Sequence, residues 1–524
     1  MTPTAPIIST RAGTVRGATD AAGVSRFRGI PFAAEPIGER RFMPPAPAAP
    51  WSGVRDATTF GPQAPQVAGG IEAMFGGKAE TDEATCLTLN ITAPPGALEP
   101  GATLRPVLVW IHGGGYLTGS GSTPWYEGSK LATRGDAIVV TINYRLGVLG
   151  FCDFESLGGA WAATGAVNVG MLDQIAALDW VRTNIGAFGG DPGRVTIFGE
   201  SAGGGSVVTL LAMPAAAGLF QRAIAQSPCV DEVKARPAAA DLAAAVLAHL
   251  GLASDAGPEA LAAVPVEMLL EAQASLASRS GSALGLPFCP VFGTPSLPQH
   301  PRYAIEGRDG VGGAATAHDV PLLIGTNADE IRLFQLMANG AFDKRDDLHA
   351  AKVIAIQTGG SPADAEALIA AYRAGRPDAE ATELFVDSQT DLTFRIPSIE
   401  IAAARADRGA PTWMYRFDWQ TPAFGGSLGA CHALEIPFVF DNLDQRGVSM
   451  FVGDGDAPGR QAIADEMSAA WLAFATSQDP ATGPGWPAYD TTTRATQVFD
   501  AASSLVGDPA GDVRTAWEPL RRGS

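Results

Sequence analysis

The sequence predicts an α/β fold, with a central, mostly parallel sheet and helices on both faces. Three observations carry this. Largely apolar runs at Pro106–Ile111 (PVLVWI), Ala137–Ile142 (AIVVTI) and Val320–Ile324 (VPLLI) have the length of strands buried on both sides. These runs alternate with helical patterns: Met171, Ile175, Leu178 and Ile185 recur near helical spacing, and the strand Val195–Phe198 precedes the helix Ala202–Met213. Finally, neither an internal repeat nor a long linker interrupts the 524 residues, so one unit is expected over 1–524.

At 46% hydrophobic and 17% charged, the chain can bury a sizeable core. Trp413–Phe417 reads as a later strand. The middle differs: Pro237–Leu252, Glu259–Ser278 and Pro362–Ala374 are Ala-rich and helical. Helical insertions over roughly residues 230–380 are therefore expected above the carboxyl edge of the sheet, as walls of a substrate cavity.

Charge excludes some functions. Against 36 Lys and Arg stand 55 Asp and Glu, a net −19, so the basic footprint of a nucleic-acid binder is missing. An acidic surface also disfavours anionic membranes, and no run of about 18 apolar residues reads as a membrane span. MTPTAPIISTRAGTVRG lacks the apolar core of a secretion signal, so a cytoplasmic protein, monomeric or weakly self-associating, is expected. The five cysteines are scattered and never in CxxC spacing, which suits free thiols. With no Cys/His cluster of ligand spacing, neither a metal nor an organic cofactor is expected.

The chemistry begins at Gly199-Glu200-Ser201-Ala202-Gly203, a G-x-S-x-G match. A second match, Gly425-Gly426-Ser427-Leu428-Gly429, stands in the same chain, so context must decide. A nucleophile elbow needs a strand before the serine and a helix after it. VTIF and AGGGSVVTLLAM supply both around Ser201, whereas Ser427 follows the loop-like TPAF. Upstream, His112-Gly113-Gly114-Gly115-Tyr116 closes the strand PVLVWI. Glycines there let backbone N–H groups approach a developing oxyanion, with the Ala202 N–H as a further donor. No G-K-[ST] follows, so the phosphate-loop alternative is set aside.

A base should follow the acid in this chain order. Among the six histidines, His249, His300 and His318 come too early, and His349 lies in the charged stretch DKRDDLHA. His432, after a glycine-rich loop and before an apolar run, is the candidate base. For the acid, Asp329 and Glu330 follow VPLLIGTNA side by side, and the residues alone leave both open, each also able to cap the next helix.

Together these residues resemble the type-B carboxylesterase family, with its para-nitrobenzyl esterase-like and cholinesterase-like members. The likeness runs nearly end to end: FRGIPF at 27–32 with Arg41-Phe42, CLTLN at 86–90, NYRLG at 143–147, GGDP at 189–192 through Gly203, Asp329-Glu330 and HALE at 432–435. The resemblance implies the α/β-hydrolase fold. It also implies a serine hydrolase that cleaves carboxylic esters through an acyl-enzyme, with Ser201, Glu330 and His432 as the triad. Gly114, Gly115 and Ala202 would be the oxyanion donors, Glu200, Ser227 and Glu435 a buried network behind them, and Arg145 with Asp173 a structural ion pair. Two departures matter. Ala84-Thr85 stand where the family has Glu-Asp, leaving Glu83 as the substitute partner of Arg41, and Ser227-Pro228 stands where Ser-Gly is usual. No cysteine precedes Cys86, which rules out the disulfide of secreted relatives, and no Trp lies in 66–86, against choline-ester specialisation. Phe288 and Phe292 read first as core aromatics and second as acyl-side lining. The rival readings are a carbamate or amide hydrolase with the same triad, and a non-catalytic cholinesterase-like binding protein.

Overall fold

The computed structural model describes residues 5–67, 80–277, 286–307, 320–338, 340–453, 459–481 and 485–521, so His318 lies outside the described residues. Its frame is one eleven-stranded sheet. Numbered along the chain, its strands are β1 (Ala18–Thr19), β2 (Ser25–Pro31), β3 (Thr88–Ala93), β4 (Arg105–Ile111), β5 (Ile138–Ile142) and β6 (Gly190–Glu200). They continue with β7 (Arg222–Gln226), β8 (Leu322–Asn327), β9 (Thr412–Phe417), β10 (Ala495–Phe499) and β11 (Ser504–Gly507). Their spatial order is β1-β2-β3-β5-β4-β6-β7-β8-β9-β10-β11. From β5 to β10 every neighbouring pair is parallel, while β1, β2 and β3 at one end and β11 at the other run antiparallel.

The apolar runs have the two-sided burial expected of parallel strands. Val107, Val109 and Ile111 of β4 enter one core, and Leu108 and Trp110 enter the other. The first core is covered by α1 (Val169–Asn184) and α2 (Ala202–Ala212), through Met171, Leu178, Val207 and Leu211. Helices α3 (Ile331–Met337) and α4 (Arg460–Ser477) follow later in the chain. The second core is covered mainly by α4, through Met467, Trp471 and Phe474. Among the described residues, no helix is long and apolar enough to cross a membrane.

The middle of the chain carries helices at Arg236–His249, Pro258–Ala262, Val266–Ala277, Pro301–Glu306, Asp347–Thr358 and Pro362–Gly375. The single helix expected over 259–278 is two, because Pro265 bars its predecessor from the helical region and forces a break. Arg41 fills that break: its Nη1 donates to Val264 O at 2.5 Å and to Ala262 O at 3.2 Å. The same guanidinium pairs with Glu83, Nε to Oε1 at 2.5 Å, so Glu83 does substitute in this ion pair. Arg145, just past β5, pairs through two nitrogens with Asp173 of α1, at 2.7 Å each, with both side chains buried. All five cysteines are free and buried. Phe288 lies fully in the first core, and half-buried Phe292 packs against it beside His300.

Removing one partner of a buried ion pair strands the other charge in low dielectric. Asp173→Ala is expected to cost about 3–5 kcal/mol of unfolding free energy, measured by urea titration. A loss below about 1 kcal/mol would instead put the pair in the class of exposed ion pairs.

Candidate active site

Register assembles the site. Ile111 of β4 pairs with Gly199 of β6, Glu200 with Gln226 of β7, and Gln226 with Gly325 of β8. The carboxyl ends of four adjacent parallel strands therefore lie level, and each leads into a loop singled out by its sequence.

Between β6 and α2 the chain turns through Ser201, whose φ of 59° and ψ of −121° are strained for a side-chain-bearing residue. The strain is imposed by crowding. A Cβ on Gly203 would stand 2.0 Å from Ile111 O, so only glycine lets α2 leave the sheet so close to β4. Ser201 N–H donates to Gln226 O at 3.0 Å, and Ser201 O accepts from Gly205 N–H at 2.7 Å, which fixes the turn from both sides. Ser427 has none of this setting: it follows a short 3-10 turn, is exposed, and donates its hydroxyl to Phe424 O.

The glycine loop faces the elbow, for a Cβ on Gly113 would meet Ser201 Cβ at 3.1 Å. No described residue accepts a hydrogen bond from the N–H groups of Gly114, Gly115 or Ala202. These are donors without acceptors at the mouth of the elbow. Tyr144 OH donates to His112 O at 2.7 Å and stacks on the His112 ring. Burial pushes the His112 imidazole down to about 4, so it is neutral, and its Nδ1–H donates to Gly113 O at 2.8 Å.

His432 Nδ1 lies 2.6 Å from Glu330 Oε2, with both residues buried. The ring sits between Phe334 of α3 and Phe394, at centroid distances of 5.1 and 4.8 Å. Glu330 Oε1 accepts from Asn327 N–H at 2.8 Å, so the carboxylate is held at both oxygens. Asp329 points elsewhere. Its Oδ2 accepts from Ala430 N–H at 2.9 Å, its N–H donates to Ala430 O at 3.0 Å, and its Oδ1 pairs with Arg332 at 2.9 Å. Asp329 thus neither touches His432 nor caps the next helix; it clasps the loop that carries the histidine. His349, by contrast, starts the helix Asp347–Thr358, where its N–H donates to Asp346.

Three carboxylates surround one imidazole. His432 Nε2 lies 3.1 Å from Glu200 Oε1, without hydrogen-bonding geometry. Burial opposes the imidazolium, but Glu200 and Glu330 outweigh it and raise His432 above the ordinary histidine range. Burial, against the pull of His432, pushes the Glu200 carboxyl up as well. Behind them, Glu435 accepts from Gln226 Nε2 at 3.0 Å and from Asn327 Nδ2 at 2.7 Å, and Gln226 Oε1 accepts from Trp471 Nε1 at 2.9 Å. Ser227 was expected in this network, but its buried hydroxyl finds no hydrogen-bond partner among the described residues. Gln226 and Asn327 take the place, because a strand's last residue can turn its amide across the sheet edge. A side-chain amide at the last position of a largely apolar strand is the signal that marks them. Among the described residues, no group of three or more His, Cys, Asp or Glu could hold a metal ion.

Residues 4–508 match the sequence model of the carboxylesterase family. The chain is 39% identical to the para-nitrobenzyl esterase of Bacillus subtilis (strain 168) over 98% of its length and 99% of that protein. It is 35% identical to the phenmedipham hydrolase of Pseudarthrobacter oxydans, covering 97% of each. A solved Geobacillus stearothermophilus carboxylesterase superposes with a TM-score of 0.84 at 40% identity, over 98% of this chain and 100% of that one.

The His432 environment carries its own test. Because the carboxylates favour the imidazolium, the ring should titrate above about 6.5 in NMR of the free protein, and Glu200→Gln should lower its midpoint. A midpoint that ignores Glu200→Gln would mean that Glu200 bears no charge while His432 titrates.

Proposed function

The chain belongs to the carboxylesterase family and hydrolyses carboxylic esters, and on that premise we propose that Ser201, His432 and Glu330 perform the reaction. Ser201 Oγ attacks the ester carbonyl as His432 Nε2 takes its proton. The carbonyl oxygen becomes an oxyanion received by the N–H groups of Gly114, Gly115 and Ala202. His432 then returns the proton to the departing alcohol, leaving an acyl-enzyme on Ser201. Water, deprotonated by the same nitrogen, releases the carboxylic acid and regenerates the serine.

The observation that carries this reading is the 2.6 Å contact of His432 Nδ1 with Glu330, beside a strained serine and three N–H groups lacking acceptors. The contact leaves Nε2 as the basic nitrogen and stabilises the cation formed when it accepts a proton. In the free protein Nε2 faces Glu200, and its hydrogen bond to Ser201 forms with substrate bound, as such bonds commonly tighten in the complex. Helices of the 230–380 region, α3 with Phe334 among them, we take as the cavity walls on the acyl or alcohol side. A small-molecule ester is the substrate class, and a cytoplasmic site of action fits the acidic balance of the chain.

Ser201→Ala is expected to lower kcat by about 10⁴-fold or more on a para-nitrophenyl ester while the protein stays folded, with Ser427→Ala nearly silent. Equal activity of folded Ser201→Ala and wild type would sink the assignment. Glu330→Gln should lower kcat by about 10³–10⁴-fold, and Asp329→Asn far less. Since Asp329 ties the histidine loop to Arg332, its loss should appear in thermal stability. The reverse ranking of the two variants in kcat would make Asp329 the acid. Only neutral His432 can accept the proton, so kcat/KM should rise with pH through a group above the ordinary histidine value near 6.5.

A further inference from the structure

Gly113, Gly114 and Gly115 have no side chains, so what grips their carbonyls must set the aim of their N–H groups. A trans peptide points its N–H opposite to its C=O. Gly113 O is held by His112 Nδ1–H at 2.8 Å, which fixes the Gly114 N–H. Gly114 O accepts from Leu117 N–H and Thr118 N–H at 3.0 Å each, which fixes the Gly115 N–H.

The return of this loop rests on that grip. Gly119 has φ of +107°, and a Cβ on it would stand 2.4 Å from His112 Nδ1 and 2.6 Å from Gly113 O. The Gly119 backbone therefore presses directly on the His112–Gly113 hydrogen bond. From outside, one side chain holds Gly119 by both of its backbone groups: Gln66 Oε1 accepts from Gly119 N–H at 2.8 Å, and Gln66 Nε2 donates to Gly119 O at 3.0 Å. The amide is oriented by a second bond from Nε2 to Ala64 O at 3.1 Å. Its segment is anchored by Asn143, whose Nδ2 donates to Pro62 O at 3.1 Å while its Oδ1 accepts from Gly121 N–H at 2.8 Å.

We propose that Gln66 is a positioning residue for ester hydrolysis: its amide holds Gly119 against the His112–Gly113 hydrogen bond and so keeps the Gly114 and Gly115 N–H groups aimed at the oxyanion. The proposal rests on the reading of those two groups as oxyanion donors. Gln66 touches no reacting atom; it acts through the loop. Its effect belongs to the transition state, because the ground-state ester carries no full charge on the carbonyl oxygen.

The experiment uses Gln66→Met, which keeps the side-chain length and removes all three of its side-chain hydrogen bonds, with a trifluoromethyl ketone and its matching alcohol as probes. The ketone adds to Ser201 as a hemiketal whose oxygen lies where the ester oxyanion would; the alcohol cannot. Expected are a kcat lowered about tenfold or more, a KM within about twofold of wild type, and ketone inhibition weakened by the same factor as kcat/KM. A kcat near wild type, whatever the melting temperature, overturns the role of Gln66, as does a loss confined to KM. If wild type itself binds the ketone no better than the alcohol, the oxyanion reading falls first, and the proposal with it. Should Gln66→Met fail to fold, Gln66→Glu decides. Its carboxyl can both accept and donate only when protonated, so the variant-to-wild-type ratio of kcat should be higher near about pH 5 than near about pH 8. A ratio flat in pH overturns the proposal.

Discussion

The contact between His432 Nδ1 and Glu330 constrains everything around it. It joins two loops that leave adjacent strands, and neither loop holds its shape alone. Asn327 N–H grips the second oxygen of Glu330, and the Asp329–Ala430 exchange clasps the histidine loop two residues before His432. Ala433, next to His432, takes a positive φ of 65°, which turns the chain immediately into the buried run after it. A single proton position thus depends on four backbone and side-chain contacts at the edge of the sheet. The same spot gathers three carboxyl groups; burial pushes those of Glu200 and Glu435 up, and whatever negative charge remains there is tolerable only beside a cation or strong donors. His432, Gln226 and Asn327 are those groups.

The opposite wall depends on closeness of backbones instead of charge. Gly203 lets the helix after Ser201 start against the end of β4, and the glycine loop then folds back over the same strand end. The Ser201 turn is held by main chain on both sides, whereas the glycine loop that faces it also leans on the side chains of His112 and Gln66. The strain at Ser201 is the counterpart of that rigidity: the residue cannot relax without separating α2 from the sheet.

Much of this was legible in the sequence, for physical reasons. Strands buried on both faces carry near-continuous apolar runs, so β4, β5 and β8 stand out; a strained turn flanked by glycines marks Ser201. His432 follows from elimination. The acid does not, because Asp329 and Glu330 are chemically alike and differ only in which way the backbone aims them; the family resemblance, not the residues, singled out Glu330. The clasp made by Asp329 is invisible for the same reason. Gln226, Asn327 and Trp471 sit far apart in the chain, and no spacing rule relates an indole in α4 to amides at two strand ends. Ser227 was drawn into the network by likeness to the family, yet its hydroxyl finds no partner among the described residues, and proline follows it where glycine is usual. The break before Pro265 obeys a local rule, but the Ala-rich flanks mask it. Glu83 was readable as the fallback partner of Arg41 only because the usual acidic residues were missing.

The sheet itself carries a consequence for how copies of this protein meet. Among the described residues the eleven strands leave two borders without a further strand, and an open border is a template on which another chain can add a strand. Here one border is the two-residue β1 and the other the four-residue β11, each running against the direction of the parallel centre. A visiting strand would find only a few backbone groups to pair with before the template ended. The long, flat, apolar strands that would seed such growth are all interior. Encounters between copies thereby meet little template on which to propagate the sheet.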